Sequence, residues 1–339
     1  MLPHLTIYRT LEPLITHRKG EIRIGERLQF INETNWDNIW NMSKKGVRFG
    51  ILGIPESIGV QANSGRPGTE LAWEQFVIQF ANLQSNRYLE GSDVLFLGQV
   101  VTNDLQQRAM ELSPGDNQYY TKLRSLCQEL DNRVAPIVEV MVKAELVPII
   151  IGGGHNNSFP ILKAISQELG FPQGIACLNC DAHADFRPLE GRHSGNGFSY
   201  AFYQGFLQRY FVLGLHEQAN SEAMLKNMDL EPQVSYSLRD QVTNMGKALE
   251  EALNFIERSP LPTGLELDLD AVSLMPASAI TVQGISIDEA REYISQGTAA
   301  LAPAYLHLPE AAIINAQTDP LLVGKTLACL VTDFIKSYP

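Results

Sequence analysis

The chain has 339 residues, of which 45% are hydrophobic, and this is enough apolar material for a substantial core in one large or two ordinary domains. Twenty-six basic against 38 acidic side chains give a formal net charge of −12, which excludes a general affinity for nucleic acids and for anionic membrane surfaces. The longest apolar runs have the length of strands and fall short of the ~20 residues that cross a bilayer, so we expect no membrane partner.

Targeting signals and cysteine usage indicate the compartment. Residues 1–5 are not followed by the basic and apolar regions of a secretory signal, so we expect a cytoplasmic protein. Four cysteines (Cys127, Cys177, Cys180 and Cys329) are too few for a disulfide framework in a chain of this length. Cys177 and Cys180 have the spacing of a zinc or redox pair, but no second pair of this kind follows. We therefore favour two cysteines in a buried strand.

Strand-like and helix-like segments alternate along the chain after an N-terminal extension that we predict over residues 1–45. Apolar runs typical of buried strands lie at residues 47–52, 94–97, 147–151, 175–180, 211–213, 265–269 and 304–308. Segments with apolar residues near a 3.6-residue period lie at residues 120–144, 159–169, 241–257 and 321–337. No linker divides the remainder, so residues 46–339 are predicted to form a single α/β domain with a mostly parallel sheet covered on both faces.

Two fragments concentrate reactive side chains at alternate positions. In one, Asp181, His183 and Asp185 are separated by alanines, and in the other Asp268 and Asp270 alternate with leucines. If each fragment ends a strand, the period of two turns its reactive side chains toward one face. Either fragment alone is typical of a solvated strand end. Four carboxylates brought together, however, would not all stay ionised without cations between them, so the pair of fragments predicts a metal site.

A glycine run at residues 152–154 follows the strand at 147–151 and precedes His155. Such a loop between a strand and a helix could hold a phosphate, which leaves a nucleotide-binding protein as an alternative. The spacing matches neither phosphate-binding pattern, and no lysine stands where such a loop requires one. We favour a sharp turn that brings His155 over the metal carboxylates, since ligands bind beyond the carboxyl ends of parallel strands. Glu310 follows the strand at 304–308 in the same manner.

Taken in order, these fragments resemble the ureohydrolase superfamily, which includes arginase, agmatinase and formimidoylglutamase, from about Gly50 to the C-terminus. The resemblance implies a three-layer α/β/α fold and a site for two Mn²⁺ ions. By resemblance, one ion would be held by His155, Asp181, Asp185 and Asp268, and the other by Asp181, His183, Asp268 and Asp270. A ligand set of carboxylates and imidazoles without thiolates suits Mn²⁺ better than a structural zinc.

The resemblance also implies a reaction, the hydrolysis of a carbon–nitrogen bond in a linear amidine. Two close cations would lower the pKa of a shared water and so supply a nucleophile for the amidine carbon. Glu310 matches a glutamate that the family places against the cationic nitrogens of the substrate, where it would accept charge-assisted hydrogen bonds.

Several loops are most similar to the formimidoylglutamase branch, which converts N-formimidoyl-L-glutamate to L-glutamate and formamide in histidine degradation. These loops are residues 59–68, 185–187, 193–198 and 268–286. Ser194 stands where arginase-type enzymes have a proton-shuttling histidine. The substrate carries two carboxylates, so the residues that we expect to bind it are Arg66, Arg187, Asn63, Ser194 and Asn196, with Arg192 as a weaker candidate.

Some residues depart from the pattern of that branch. His193 replaces a small residue and would either act as a catalytic proton relay or fill the pocket mouth. Asn156 and Asn157 alter the surroundings of His155. Two alternatives therefore stay open: a hydrolase that releases urea from another guanidino compound, and a catalytically silent homologue that uses the pocket for binding. The family forms trimers and hexamers, which implies a homo-oligomer here.

Overall fold

The computed structural model describes residues 2–169, 174–258 and 260–339. In these ranges nine strands form one sheet: β1 (Leu5–Ile7), β2 (Phe49–Gly53), β3 (Val94–Val100), β4 (Val147–Ile151), β5 (Ile175–Cys180), β6 (Leu207–Leu215), β7 (Val234–Leu238), β8 (Thr263–Leu267) and β9 (Tyr305–Leu308). Eleven α-helices accompany them in the same ranges: α1 (Trp36–Lys44), α2 (Ile58–Ala62), α3 (Ala72–Ala81), α4 (Asn103–Met110), α5 (Tyr119–Lys143), α6 (Ser158–Glu168), α7 (Gly197–Tyr203), α8 (Glu222–Asp229), α9 (Met245–Ile256), α10 (Ile287–Leu301) and α11 (Asp319–Ser337).

The strands lie in the order β1-β3-β2-β4-β9-β8-β5-β6-β7, and all neighbours are parallel except the edge pair β1 and β3. Strand β1 comes from residues 1–45, where Leu5 pairs with Val100. A strand of three residues is too short to show a period in the sequence, which is why only an extension was expected there. The division of the chain at residue 45 stays a prediction.

Side chains of successive strand residues enter two separate apolar cores, one on each face of the sheet. In β4, Ile149 and Ile151 join the core formed with α3, α9, α10 and α11, whereas Ile150 joins the core formed with α5, α6 and α7. Cys177 and Cys180, three residues apart in β5, also face opposite cores and are unpaired. The interpretation as buried strand residues is therefore correct, and the predicted three-layer α/β/α fold is confirmed.

Helix boundaries follow local caps. The helix expected over residues 241–257 begins only at Met245, because Asn244 caps it by accepting a hydrogen bond from the backbone N–H of Lys247 at 3.0 Å. Within the described ranges, none of the helices combines the length and the apolar character that a membrane span requires.

The four central strands are adjacent in the order β4, β9, β8, β5, although β4 and β5 are consecutive in the chain. The connection after β5 leads to β6 on one side, whereas the connection after β8 leads to β9 on the other side. Such a topological switch point leaves a crevice beyond the carboxyl ends of the strands. His155 follows β4, Glu310 follows β9, and the two aspartate-rich fragments follow β8 and β5. All the predicted metal ligands consequently converge on one crevice.

Candidate functional site

The glycine loop after β4 is held by a buried carboxylate. Gly152 and Gly153 have φ values of +81° and +74°, which few residues other than glycine adopt. Glu56 accepts hydrogen bonds from the backbone N–H of Gly154 at 2.7 Å and from Nδ2 of Asn157 at 2.8 Å. The Glu56 side chain thus occupies the N–H groups of the loop that a phosphate would need. This arrangement favours the interpretation that the loop presents His155.

The first ligand group surrounds Nδ1 of His155. This atom lies 3.1 Å from Oδ2 of Asp181, 3.0 Å from Oδ2 of Asp185 and 2.9 Å from Oδ2 of Asp268. The four atoms all lie within 4.8 Å of one another, and the four residues are buried. These are the residues that the resemblance implies for one ion.

The second ligand group lies beside the first and shares Asp181 with it. Nδ1 of His183 is 3.1 Å from Oδ2 of Asp270 and 3.7 Å from Oδ1 of Asp181. Asp181 therefore contributes one oxygen to each group, as expected of a bridging ligand. Asp268, also expected to bridge, belongs to the first group, and its Oδ1 accepts the backbone N–H of Asp270 at 2.7 Å.

The ligands do not stand on strands, as the alternation of reactive residues in the sequence predicts. Strands β5 and β8 end one residue before Asp181 and Asp268, so the ligands stand on turns beyond the sheet. Residues 269–271 form a 3₁₀ turn, and Asp185 adopts a left-handed φ of +47°. Such strained backbone is typical of functional sites. The period of two identified the reactive residues, but the turns orient them.

The charges of the site require cations. Burial raises the pKa of Asp268, and Asp270 and Asp181 raise it further. Burial alone would lower the pKa of His155, yet its carboxylate neighbours, Asp181 foremost, raise it well above the ordinary value. In the metal-free protein, protons thus supply the positive charge that these carboxylates need.

The donor atoms fit divalent metal ions. Among the described residues, Nδ1 of His155 and Oδ1 of Asp270 are buried and make no hydrogen bond of good geometry. Both atoms are therefore free to bind a metal ion. Carboxylate oxygens with one imidazole in each group form a donor set suited to Mn²⁺ or Mg²⁺, and no thiolate takes part.

A cavity of about 160 Å³ lies over the two groups. Glu310 forms part of its wall, in a left-handed conformation with φ +65°, and accepts hydrogen bonds from the backbone N–H of His155 at 2.7 Å and from the Ser278 hydroxyl. Burial raises the pKa of Glu310 to about 8. Of the predicted substrate-binding residues, Asn63, Arg187 and Ser194 line the cavity.

The structure does not bring Arg66, His193 or Asn196 to the cavity. Arg66 is exposed on the surface and is absent from the lining. The loop resemblance showed which segment approaches the site, but the direction of a single side chain on that loop depends on the turn. In this conformation Arg66 does not line the cavity, and its contact with the substrate stays a prediction.

His193 and Asn196 instead build the turn at residues 194–196. Nδ1 of His193 accepts the backbone N–H of Gly195 at 3.1 Å, and its Nε2 lies 3.2 Å from Oε1 of Glu190. Burial, with Arg124 and other cations, lowers the pKa of His193 to about 3, so the ring is neutral. Asn196 accepts from the guanidinium of Arg192 at 2.8 Å. In this structure both residues make contacts within the turn, and the catalytic role of His193 and the substrate-binding role of Asn196 stay predictions.

Arg192, the weaker substrate candidate, is buried and joins separate parts of the site. Its Nη2 donates to the backbone carbonyl of Asn156 at 2.6 Å, and its Nε donates to Asp131 at 2.9 Å. Arg192 thus links α5 to the segment that follows the glycine loop and, through Asn196, to the turn at residues 194–196. These contacts hold the parts of the site in position.

Sequence reasoning missed Glu56, Ser278, Glu266 and His307. Glu266 lies inside β8 and accepts a hydrogen bond from His155 at 3.1 Å and from His307 in β9 at 2.7 Å. A charged residue within an otherwise apolar strand, two positions before Asp268, was the available signal. Glu56 and Ser278 lie in irregular segments, where no period marks a buried polar residue.

Comparisons with known proteins agree with this geometry. The family model of the arginase family matches residues 47–304. A formimidoylglutamase of Streptococcus pyogenes serotype M3 is 26% identical over 257 residues, which are 72% of this chain and 70% of that protein.

Two solved structures share the fold. The Trypanosoma cruzi formiminoglutamase with Mn²⁺ has a TM-score of 0.71 at 18% identity and covers 94% of this chain and 100% of its own. The Bacillus subtilis formimidoylglutamase has a TM-score of 0.73 at 16% identity, with 96% and 95% covered. The similarity to the ureohydrolase superfamily that the motifs indicated is confirmed, and the chain belongs to the arginase family.

Proposed function

We propose that this arginase-family hydrolase uses two Mn²⁺ ions to cleave a carbon–nitrogen bond of a linear amidine, with N-formimidoyl-L-glutamate as substrate and L-glutamate and formamide as products. One observation carries the proposal: two ligand groups that share Asp181 form one side of a small cavity whose wall presents the carboxyl group of Glu310. The Mn²⁺ form of the Trypanosoma cruzi formiminoglutamase, which has the same fold, supports the choice of metal.

The metal-holding residues are those of the two groups, with Asp181 between them. When bound, the two ions lower the pKa of a water and supply the nucleophile for the amidine carbon. His155, Asp181, Asp185 and Asp268 are fixed by the core, so the group they form is ready without rearrangement. His183, 30% exposed, adjoins the cavity and leaves room for substrate to approach.

Glu310 selects a cationic end group. An amidinium offers two N–H donors, and its positive charge favours the ionised form of Glu310 against the burial that raises its pKa. The ionised carboxylate is the acceptor that binds such donors most strongly. The backbone N–H of His155 and the hydroxyl of Ser278 hold the Glu310 carboxyl group in one orientation. Binding of the amidinium therefore directs its carbon toward the metal ligands.

Arg187 provides the charge for the other end of the substrate. It is the arginine among the described residues that line the cavity, next to Asn63 and Ser194. Oγ of Ser194 accepts from Nδ2 of Asn63 at 3.3 Å, so the two polar side chains form one edge of the opening. A glutamate moiety with its amidine against Glu310 would extend its carboxylates toward this edge.

The test is a panel assay of the Mn²⁺-reconstituted protein with N-formimidoyl-L-glutamate, arginine and agmatine, in which formamide, ammonia and urea are measured separately. We expect formamide and glutamate from the first compound and no urea from the other two. Urea release without formamide would instead establish a guanidino hydrolase. Two bound ions without turnover of any compound would establish a silent homologue.

A further inference from the structure

Glu266 lies directly beneath His155 and is completely buried. Its Oε2 accepts hydrogen bonds from Nε2 of His155 at 3.1 Å, from Nδ1 of His307 at 2.7 Å and from Oγ of Ser158 at 2.6 Å. Its Oε1 accepts from the hydroxyl of Tyr305 at 2.5 Å. The Cys177 thiol adds a weaker contact to Oε1 at 3.8 Å, so five donors converge on one carboxylate. Glu266 belongs to neither of the two ligand groups described above, although it forms a further cluster with His155 and His307.

The central strands are built to hold this carboxylate. Glu266 of β8 pairs in register with His307 of β9, so both side chains stand side by side on one face of the sheet. Gly264 pairs with Tyr305, and a Cβ on this glycine would lie 2.1 Å from a ring carbon of Tyr305. The absence of a side chain at residue 264 is what lets the tyrosine ring reach across to Glu266.

The contact with Glu266 sets the orientation of the His155 ring. A ligating imidazole binds a metal ion through one ring nitrogen and carries its proton on the other. Nδ1 of His155 faces Asp181, Asp185 and Asp268, and Nε2 lies 3.1 Å from Oε2 of Glu266. Glu266 is therefore placed to accept the N–H of the tautomer that directs the Nδ1 lone pair at the first ligand group.

The second histidine has no such support. His183 is 30% exposed, and among the described residues no hydrogen bond is made to its Nε2. Its ring is oriented from the ligand side alone, by Asp270 and Asp181.

We propose that Glu266 is a positioning residue that makes the two metal sites unequal, so that the His155 group binds its ion more tightly than the His183 group does. A carboxylate behind a ligating imidazole fixes the tautomer and the ring orientation and raises the basicity of the ligand nitrogen. This inference rests on the metal-binding part of the proposed function and concerns no substrate.

The experiment is a Mn²⁺ titration of metal-free protein by calorimetry, with electron paramagnetic resonance to separate an isolated ion from a coupled pair. In the wild type we expect one tight and one weaker site. Glu266→Gln should weaken the tight site about 10- to 100-fold, the usual effect of losing such a partner. The weaker site should keep its affinity within about threefold. Glu266→Asp retains the charge with a shorter reach, and we expect it to recover part of the loss.

Two further variants identify the sites. His183→Asn should remove the weaker ion and leave the tight one, with the spectrum of an isolated Mn²⁺. Asp333→Asn is the matched control, because Asp333 is another buried carboxylate that accepts hydrogen bonds from Arg291 at 2.7 and 3.2 Å and contacts no metal ligand. It should leave both affinities within about threefold of the wild type.

Wild-type affinity for both ions in Glu266→Gln would overturn the proposal. Equal weakening of both ions, accompanied by a lower melting temperature of the metal-free protein, would also overturn it, since that is the result of a purely structural role. If Glu266→Gln does not fold, Glu266→Asp provides the same test. We then expect weaker Mn²⁺ binding at the His155 group alone. Unchanged affinity at that group would contradict the proposal. Two bound ions without amidine hydrolysis would overturn the proposed function and leave this inference standing.

Discussion

The two ligand groups share Asp181 but have opposite surroundings. The His155 ring has no exposed surface, lies edge-on to Phe198 at a centroid distance of 5.0 Å, and is supported from behind by Glu266. The His183 ring is 30% exposed and adjoins the cavity. One group is therefore part of the protein core, whereas the other borders the cavity.

The largest effect on metal binding and activity is expected from substitution of Asp181, which both ligand groups share. Asp181→Ala removes one oxygen from each group, so both ions should be lost together and kcat/KM should fall by about 10³-fold or more, because the metal-activated nucleophile is lost. Metal content by elemental analysis and the amidine assay measure this. Retention of either ion at wild-type affinity would show that the groups are independent rather than joined through Asp181.

Separate substitutions of the two histidines should affect the stability of the metal-free protein unequally. His155→Asn removes the positive partner of several buried carboxylates, so we expect a loss of about 3–5 kcal/mol in the free energy of unfolding. His183→Asn removes a partly exposed group and should cost about 1 kcal/mol or less. Denaturant unfolding in the presence of a chelator measures both. Equal losses would contradict the distinction between a core group and an open group.

The same contrast explains what the sequence could predict. The candidate ligands follow strand ends, and the spacing of Asp181, His183 and Asp185 in the sequence predicts a metal site. The order of the four central strands was not readable, because parallel pairing joins segments far apart in the chain. For this reason Glu266 and His307, 41 residues apart, could not be recognised as neighbours.

The turn after β5 shows how little proximity in sequence says about the role of a polar residue. His193 and Asn196 are polar residues near the metal fragment, and their proximity in sequence suggested roles in the site. In the structure both satisfy backbone groups of the turn, His193 toward Gly195 and Asn196 toward Gly191. Polar residues of a loop serve the loop or the ligand, and only the turn geometry distinguishes the two.

Changes in pH should act on the two histidines through their raised pKa values. In the metal-free protein the folded-state pKa of His155 and of His183 lies above the ordinary value of 6.5, raised by carboxylates that outweigh burial at His155 and by Asp270 first at His183. A raised pKa contributes stability that is complete below about pH 6.5 and is lost as the pH rises through the folded-state value. The melting temperature in a chelator should therefore fall as the solution is made alkaline.

Mn²⁺ must displace these protons, so its apparent affinity should rise with pH, by up to about tenfold per pH unit for each proton displaced. Titrations between pH 6 and 8 measure this slope, and His183→Asn should reduce it by the share of one histidine. An affinity independent of pH would show that neither histidine is protonated in the metal-free protein.

The smallest expected effect lies at the open side of the site, where two exposed arginines form a matched pair. Arg187 lines the cavity, whereas Arg66 does not. Arg187→Ala should raise KM for N-formimidoyl-L-glutamate about tenfold with little change in kcat, since it removes one charge-assisted contact that is made equally in the ground and transition states. Arg66→Ala removes an exposed charge of the same kind and should change KM less than about twofold. Steady-state kinetics of both variants measure these two effects on KM. A larger effect of Arg66→Ala would mean that the loop at residues 59–68 contacts bound substrate. Two loops, rather than one, would then form the open side of the site.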